Sequence, residues 1–165
     1  NKTGCHLWVR NNNLEANASL DHQNPALMQY IKDHKILGHI DIHGARFFED
    51  KLKNNFDIAI GTSRSSYIYN YEEFQRIITA SYERYQIINI DFNTEFQATL
   101  NRTLCNQVHR HCGIMTTQFE INGEFRNPQK RPEEAINMIN GSIDCINNLV
   151  EEVEKGKIYG KIPRH

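Results

Sequence analysis

Hydrophobic and polar residues alternate along this chain with two different periods, and the two periods predict strands and helices in turn. The sequence predicts strands at 6–10 (HLWVR), 35–44 (KILGHIDIHG), 56–63 (FDIAIGTS), 86–92 (QIINIDF) and 114–121 (IMTTQFEI). Polar and apolar residues alternate most clearly in the second and third of these segments. Apolar residues three and four positions apart predict helices at 25–34, 72–85, 96–113 and from about Pro132 to Lys155. Strands separated by helices indicate one α/β domain over 1–165, with a mixed, mostly parallel sheet between helices.

The last predicted helix has the most regular pattern. It begins at Pro132, a residue suited to a first helical turn, and Glu133 and Glu134 favour the positive end of the helix dipole. Because apolar stripes of helices face the core, we expect this helix to pack along the sheet through one stripe. The stripe comprises Ile136, Ile139, Ile143, Ile146, Val150 and Val153.

The segment HIDIHGA, residues 39–45, carries an unusual combination of residues for a strand. Alternation places His39, Asp41 and His43 on one face and two isoleucines on the other. A neutral histidine at a strand end can bind zinc, and a neighbouring carboxylate can hold its ring in place. Gly44 would let the backbone turn and leave space for a ligand. The alternative is a structural pair between His43 and Asp41.

Glu120 is the second candidate. It shares a strand face with Gln118 and Asn122, and a glutamate in a strand fit for burial is costly unless it is paired or used. Such a carboxylate could act as a general base on a metal-bound water. A solvent-facing glutamate on an edge strand is the alternative.

Two further groups of residues have side chains that could belong to a site. Arg10, at the end of the first predicted strand, offers a planar fork for a substrate carboxylate, and Asn17 follows in a polar loop. Without other evidence, a surface turn is the favoured explanation of both residues. His109 and His111 suggest a metal cluster, but residues two apart on a helix point in different directions, so a polar helix end is favoured.

Composition and charge reduce the number of function classes that fit this sequence. The 165 residues carry 19 basic and 20 acidic side chains without a long basic stripe, so we expect no nucleic-acid partner. No apolar run is long enough to span a bilayer, so we expect no membrane partner. The four cysteines lack a C-x-x-C pair, and reduced thiols in a cytoplasmic protein are the expectation. The oligomeric state stays open.

Three motifs in series carry a family resemblance. ILGHIDIHGA, FDIAIGT and TTQFEINGEFR, preceded by HLWVR and LEANASLDHQNP, resemble the N-formylglutamate amidohydrolase-like family over roughly Leu7 to Arg126. The resemblance implies the zinc-dependent exopeptidase fold and hydrolysis of an amide next to a carboxylate, in a small N-formyl, N-acyl or peptide-like substrate.

The resemblance also implies roles for individual residues. His43 matches a zinc ligand and Glu120 the glutamate that activates water. Arg10 matches an arginine near the substrate carboxylate or the oxyanion, Asn17 matches a polar residue of the substrate site, and Arg126 is a weaker candidate for substrate contact.

One part of the family pattern is missing. Nothing before Arg10 matches the histidine and carboxylate that complete the zinc site in the family. We therefore expect these ligands upstream of Asn1, on a strand that pairs beside the one ending at His43. The alternative is a non-catalytic ligand-binding domain of the same fold without a complete metal site. A phosphate- or nucleotide-binding domain is disfavoured because no G-x-G-x-x-G or P-loop motif occurs.

Overall fold

The computed structural model describes residues 25–45, 56–62, 68–94, 96–99 and 103–158. Within these ranges the chain forms helices and strands in the order α1 (Pro25–Asp33), β1 (Gly38–Ala45), β2 (Ile58–Thr62), α2 (Tyr71–Glu83), β3 (Ile90–Phe92), α3 (Leu104–Cys112), β4 (Met115–Asn122) and α4 (Pro132–Glu154). A short 3-10 helix, Gly123–Arg126, follows β4. The strand predicted at 6–10 lies outside the described residues.

The four described strands form one mixed sheet in the order β1-β4-β2-β3. β1 pairs with β4 in parallel and β2 pairs with β3 in parallel, while β2 and β4 run antiparallel. The α/β class and the mixed sheet predicted from the sequence are therefore confirmed.

Helices cover both faces of this sheet. On one face, α2 and α4 pack on the strands through the largest buried cluster, which includes Phe74, Tyr82, Leu149 and, from the sheet, Ile60 and Phe119. On the other face, α3 packs on β1 and β4, and α1 packs on α3 through Leu27, Met28, Ile31 and Val108. We call the latter the α3 face, because it carries the polar side chains of β1 and β4.

Short polar side chains fix where the helices begin. Asn70 caps α2 by accepting a hydrogen bond from the Glu73 N–H at 3.2 Å. Thr103 caps α3 by accepting from the Asn106 N–H. At the other end of α3, Gly113 takes a left-handed φ of 64°, which confirms it as the residue that stops the helix.

The prediction of a helix from 96 to 113 is wrong in its first half. Helix α3 begins only at Leu104, and Ala98 has a φ of 52° that no α-helix accommodates. Thr103 Oγ1 donates to the Ala98 carbonyl at 3.0 Å, and the Asn106 amide donates to the Thr99 carbonyl at 3.2 Å. These side chains satisfy the carbonyls of Ala98 and Thr99 and so stabilise the non-helical conformation of the segment 96–99.

The strand predicted at 86–92 is shorter than expected. Gln86 has a φ of 63° and donates its N–H to the Glu83 carbonyl, so it belongs to the end of α2. The N–H groups of Ile88 and Asn89 bond to the Asp57 carboxylate, so they too lie outside the ladder. Only Ile90–Phe92 pairs with β2.

Helix α4 forms over the predicted range, but it buries a different face from the one predicted. Ile136, Ile139 and Ile143 are 57%, 58% and 51% exposed. The buried side comprises Ala135, Met138, Gly141, Cys145 and Leu149. Gly141 explains the choice, because a Cβ there would lie 2.7 Å from the ring of the buried Tyr82 on α2. The close contact between α2 and α4 is possible only on the side of α4 that carries Gly141. This orientation leaves the isoleucines on the exposed side of the helix.

A second close approach borders the α3 face. Gly61 in β2 pairs with Gln118 of β4, and a Cβ at Gly61 would lie 2.1 Å from the Phe96 carbonyl oxygen. The segment 96–99 therefore crosses directly over Gly61. Because the obstructing atom belongs to the backbone, no side-chain rotation can make room for a methyl group.

We predict that Gly61→Ala destabilises the protein by about 1–3 kcal/mol, the usual cost of overpacking. Urea unfolding followed by circular dichroism measures the change. The matched control is Gly38→Ala in β1, where an added Cβ meets only the flexible end of Met115, at 3.0 Å. Equal stability losses in the two variants would contradict the proposed crossing over Gly61.

Candidate functional site

The polar side chains of β1 and β4 lie next to one another in a row on the α3 face of the sheet. In the parallel register His39 lies opposite Thr116, Asp41 opposite Gln118 and His43 opposite Glu120. Neighbouring strands are about 4.8 Å apart, so side chains in register lie next to one another. His43 and Glu120, predicted separately from the sequence, are therefore brought together near the carboxyl ends of both strands.

Asp41 holds the His43 ring. The distance from His43 Nε2 to Asp41 Oδ2 is 2.8 Å, and alternation places both side chains on the same face. This hydrogen bond raises the pKa of His43, against the opposing effect of partial burial, and Asp41 and Glu120 add favourable charge. With Nε2 engaged, Nδ1 is the ring nitrogen left to act on another group.

Glu120 is a buried carboxylate with only 7% of its surface exposed. Burial raises its pKa and Asp41 raises it further, while the hydrogen bond from Gln118, and then His43 and Arg126, act in the opposite direction. Gln118 Nε2 donates to Glu120 Oε1. Glu120 is thus not a solvent-facing glutamate of an edge strand: β4 lies between β1 and β2, and the carboxylate can hold a proton more readily than an exposed one.

Helix α3 covers the His39 end of this row of polar side chains. Burial lowers the pKa of His39, and within the described ranges its Nδ1 is buried without a hydrogen-bond partner. Cys105 on α3 is fully buried and interacts with the backbone of Asp41. Burial raises the pKa of the Cys105 thiol, so it is unsuited to act as a nucleophile. The sequence did not indicate Cys105 here, since its place follows only from how α3 packs.

Gly44 has a different role from the one predicted. Strand β1 continues through Gly44 to Ala45 instead of turning at the glycine. An added Cβ would lie 2.1 Å from the Arg126 guanidinium carbon, so the glycine makes room for that side chain and not for a ligand. Arg126 donates to the carbonyls of Ala45, at 2.8 Å, and Ile121, at 3.2 Å.

The structure thus brings only some of the predicted site residues together. Arg126 lies at the same end of the sheet as His43 but on the opposite side of β1, because Gly44 and His43 alternate. Arg10 and Asn17 lie outside the described residues. In the HRHC segment, His109 is buried and near the Ile114 carbonyl, whereas His111 is exposed.

The donors that the structure describes can be compared with those that bind metal ions in proteins. Within the described ranges, no group of three or more His, Cys, Asp or Glu side chains is arranged to hold a metal ion. The donors that are present still fit zinc, which accepts imidazole nitrogen and carboxylate oxygen. The hydrogen bond between Asp41 and His43 is the kind of contact that orients a metal-binding imidazole.

Comparisons of the chain with protein-family models, curated proteins and solved structures give no match. The family resemblance therefore rests on the sequence motifs. Among the helices that the structure describes, none is both long enough and apolar enough to cross a membrane.

We predict that Glu120→Gln stabilises the folded protein at neutral pH. The pKa of Glu120 is raised on folding, so the folded protein binds this proton more tightly than the unfolded chain. The ionised carboxylate therefore costs stability above its folded pKa, and this cost disappears below the unfolded pKa, near about 4. Glutamine keeps the oxygen that accepts from Gln118 and removes the charge.

Thermal melts at a series of pH values measure this effect. The variant should exceed the wild type in melting temperature at pH 7, and the difference should close as the pH falls towards about 4. The matched control is Glu83→Gln, an exposed glutamate at the end of α2. A Glu120→Gln protein that is less stable than wild type at pH 7 would mean that the ionised carboxylate supports the fold.

Proposed function

We propose that this chain contributes to the active site of a zinc-dependent hydrolase that cleaves an amide bond next to a carboxylate. The observation that carries the proposal is the pairing of His43 with Glu120 in adjacent parallel strands, both on the α3 face. The fold would be that of the zinc exopeptidases. The non-catalytic domain remains the alternative, and the metal measurement below distinguishes the two.

In this proposal His43 supplies one zinc ligand through Nδ1, and Asp41 fixes the orientation of the ring. A catalytic zinc takes three protein ligands and keeps one position for water. We propose that the other two ligands come from upstream of Asn1. Strand β1 supports this arrangement, since in the described sheet it pairs on one side only and a further strand can lie beside it.

Glu120 is the proposed general base. When bound, zinc would polarise the substrate carbonyl and lower the pKa of a bound water towards about 7. Glu120 would accept a proton from the attacking water at a carboxylate oxygen and return it to the leaving amine. Its burial supports the second step, because a raised pKa stabilises the protonated carboxyl between the two transfers.

The substrate carboxylate requires a cationic partner. Arg10 and Asn17 are the proposed contacts, on the family resemblance alone. Arg126 is a further candidate, although two of its N–H groups are directed at backbone carbonyls. A guanidinium has five N–H donors, so others remain for a substrate at the ends of β1 and β4.

We predict that the intact protein, with whatever precedes Asn1, binds one zinc ion per chain. His43→Ala should weaken zinc binding by about 10-fold or more, since it removes a ligand. The matched control is His111→Ala, an exposed histidine on α3, which should leave zinc binding unchanged. Metal content after dialysis and competition with a chromogenic chelator provide the measurements.

The same protein should hydrolyse N-formyl or N-acetyl amino acids, and Glu120→Gln should lower kcat by about 100-fold or more while zinc stays bound. The corresponding N-acyl amino acid amides, which lack the carboxylate, should be poorer substrates. Zinc binding that is unaffected by His43→Ala, or full activity in Glu120→Gln, would contradict the proposal. An intact protein that folds but binds no zinc would favour the non-catalytic alternative.

A further inference from the structure

Helix α4 presents an exposed apolar stripe on the side of the sheet opposite the candidate site. Ile136, Ile139 and Ile143 are each more than half exposed, and Ile146 and Val150 continue the stripe as half-buried residues. The spacings are three, four, three and four, which is the repeat of a helix that packs against another helix. We call these five residues the α4 stripe.

The α4 stripe takes no part in the buried clusters of the residues that the structure describes. The other side of α4 packs on α2 and on the sheet through Met138, Cys145 and Leu149, all of them buried. Branched apolar side chains grouped on an exposed surface are characteristic of protein–protein contacts. The α4 stripe therefore has the features of an interface.

The polar residues that border the α4 stripe indicate which partner fits it. Asn137, Asn140 and Asn147 lie beside the stripe, and the charge of Asp144 is paired with Arg84 at 2.8 Å. An asparagine amide both donates and accepts hydrogen bonds, so two copies of the same asparagine can pair. Two copies of an unpaired charged residue would repel instead. Between Ile136 and Val150, the residues that border the stripe are thus self-complementary.

The exposed apolar surface on this side of the sheet extends along α4 and beyond it. The 23 residues of α4 extend over about 34 Å at 1.5 Å per residue. A stable interface covers about 800 Å² on each partner, of which one helix face supplies only part. Ile42, 52% exposed in β1 and on the same side of the sheet as α4, enlarges the exposed apolar surface on that side.

We infer that two copies of this chain associate through the α4 stripe about a two-fold axis, with α4 of one protomer packed on α4 of its partner. A two-fold interface uses the same surface on both protomers, which matches a stripe bordered by self-complementary amides. His43 and Glu120 lie on the opposite face of the sheet, so this dimer does not cover them. The inference is therefore independent of the proposed hydrolase.

Light scattering after size exclusion and sedimentation velocity, both over a range of protein concentrations, test the inference. The wild-type chain should have twice the monomer mass. Ile139→Gln/Ile143→Gln should weaken the dimer by about 100-fold or more in Kd, equivalent to about 2.7 kcal/mol. Glutamine favours helices, and both positions are exposed, so the far-UV circular dichroism should not change.

The matched control is Ile88→Gln, since Ile88 is 68% exposed and lies outside the stripe. This variant should remain dimeric. A second experiment identifies the partner as another copy of α4: Ile143→Glu and Ile143→Lys should each be monomeric alone, and an equimolar mixture should form a heterodimer. Ile143 is suited to this test because it lies at the centre of the stripe.

Three results would overturn the inference. One is a wild-type chain that stays monomeric at high micromolar concentration, which would assign the stripe to another occupant, such as a segment outside the described residues. Another is a dimer that Ile139→Gln/Ile143→Gln leaves intact or that Ile88→Gln disrupts equally. The third is polydisperse aggregation without a defined dimer.

Discussion

The parallel pairing of β1 with β4 is the constraint on which the rest of this structure depends. Eight consecutive residue pairs fix the register, from Gly38 opposite Met115 to Ala45 opposite Asn122. A shift of one residue would send His43 and Glu120 to opposite faces of the sheet. The same register sends the apolar side chains of both strands to the face covered by α2 and α4, so the core and the candidate site form together.

The buried polar side chains of β1 and β4 lower the stability of the fold. Their hydrogen bonds with one another and the packing of α3 limit this loss. Asp41 engages His43, and Gln118 donates to Glu120, so the buried polar groups mostly satisfy one another. Helix α3 covers the polar side chains near His39. Burial lowers the pKa of this histidine, and its Nδ1 has no partner among the residues that the structure describes. A buried carboxylate that lowers the free energy of unfolding is characteristic of functional sites, where activity and stability compete.

Sequence patterns predicted correctly which side chains share a strand face, because the local period decides that geometry. Alternation alone placed His43 and Asp41 on one face, and did the same for Gln118 and Glu120 on β4. It could not show that these strands are neighbours, because pairing depends on the order of strands in the sheet. Element ends were missed at Gln86 and Ala98, where left-handed backbone conformations interrupt otherwise regular patterns. The face of α4 was missed because the fit between Gly141 and Tyr82 outweighed the hydrophobicity of the isoleucines.

His43, Asp41 and Glu120 form one electrostatic unit, and an NMR titration of the His43 ring tests this coupling most directly. Both carboxylates raise the pKa of His43, the hydrogen-bonded Asp41 more than Glu120. Asp41→Asn should therefore lower the measured pKa most, Glu120→Gln should lower it less, and Glu83→Gln should leave it unchanged. A His43 pKa that is the same in Glu120→Gln as in the wild type would contradict the account.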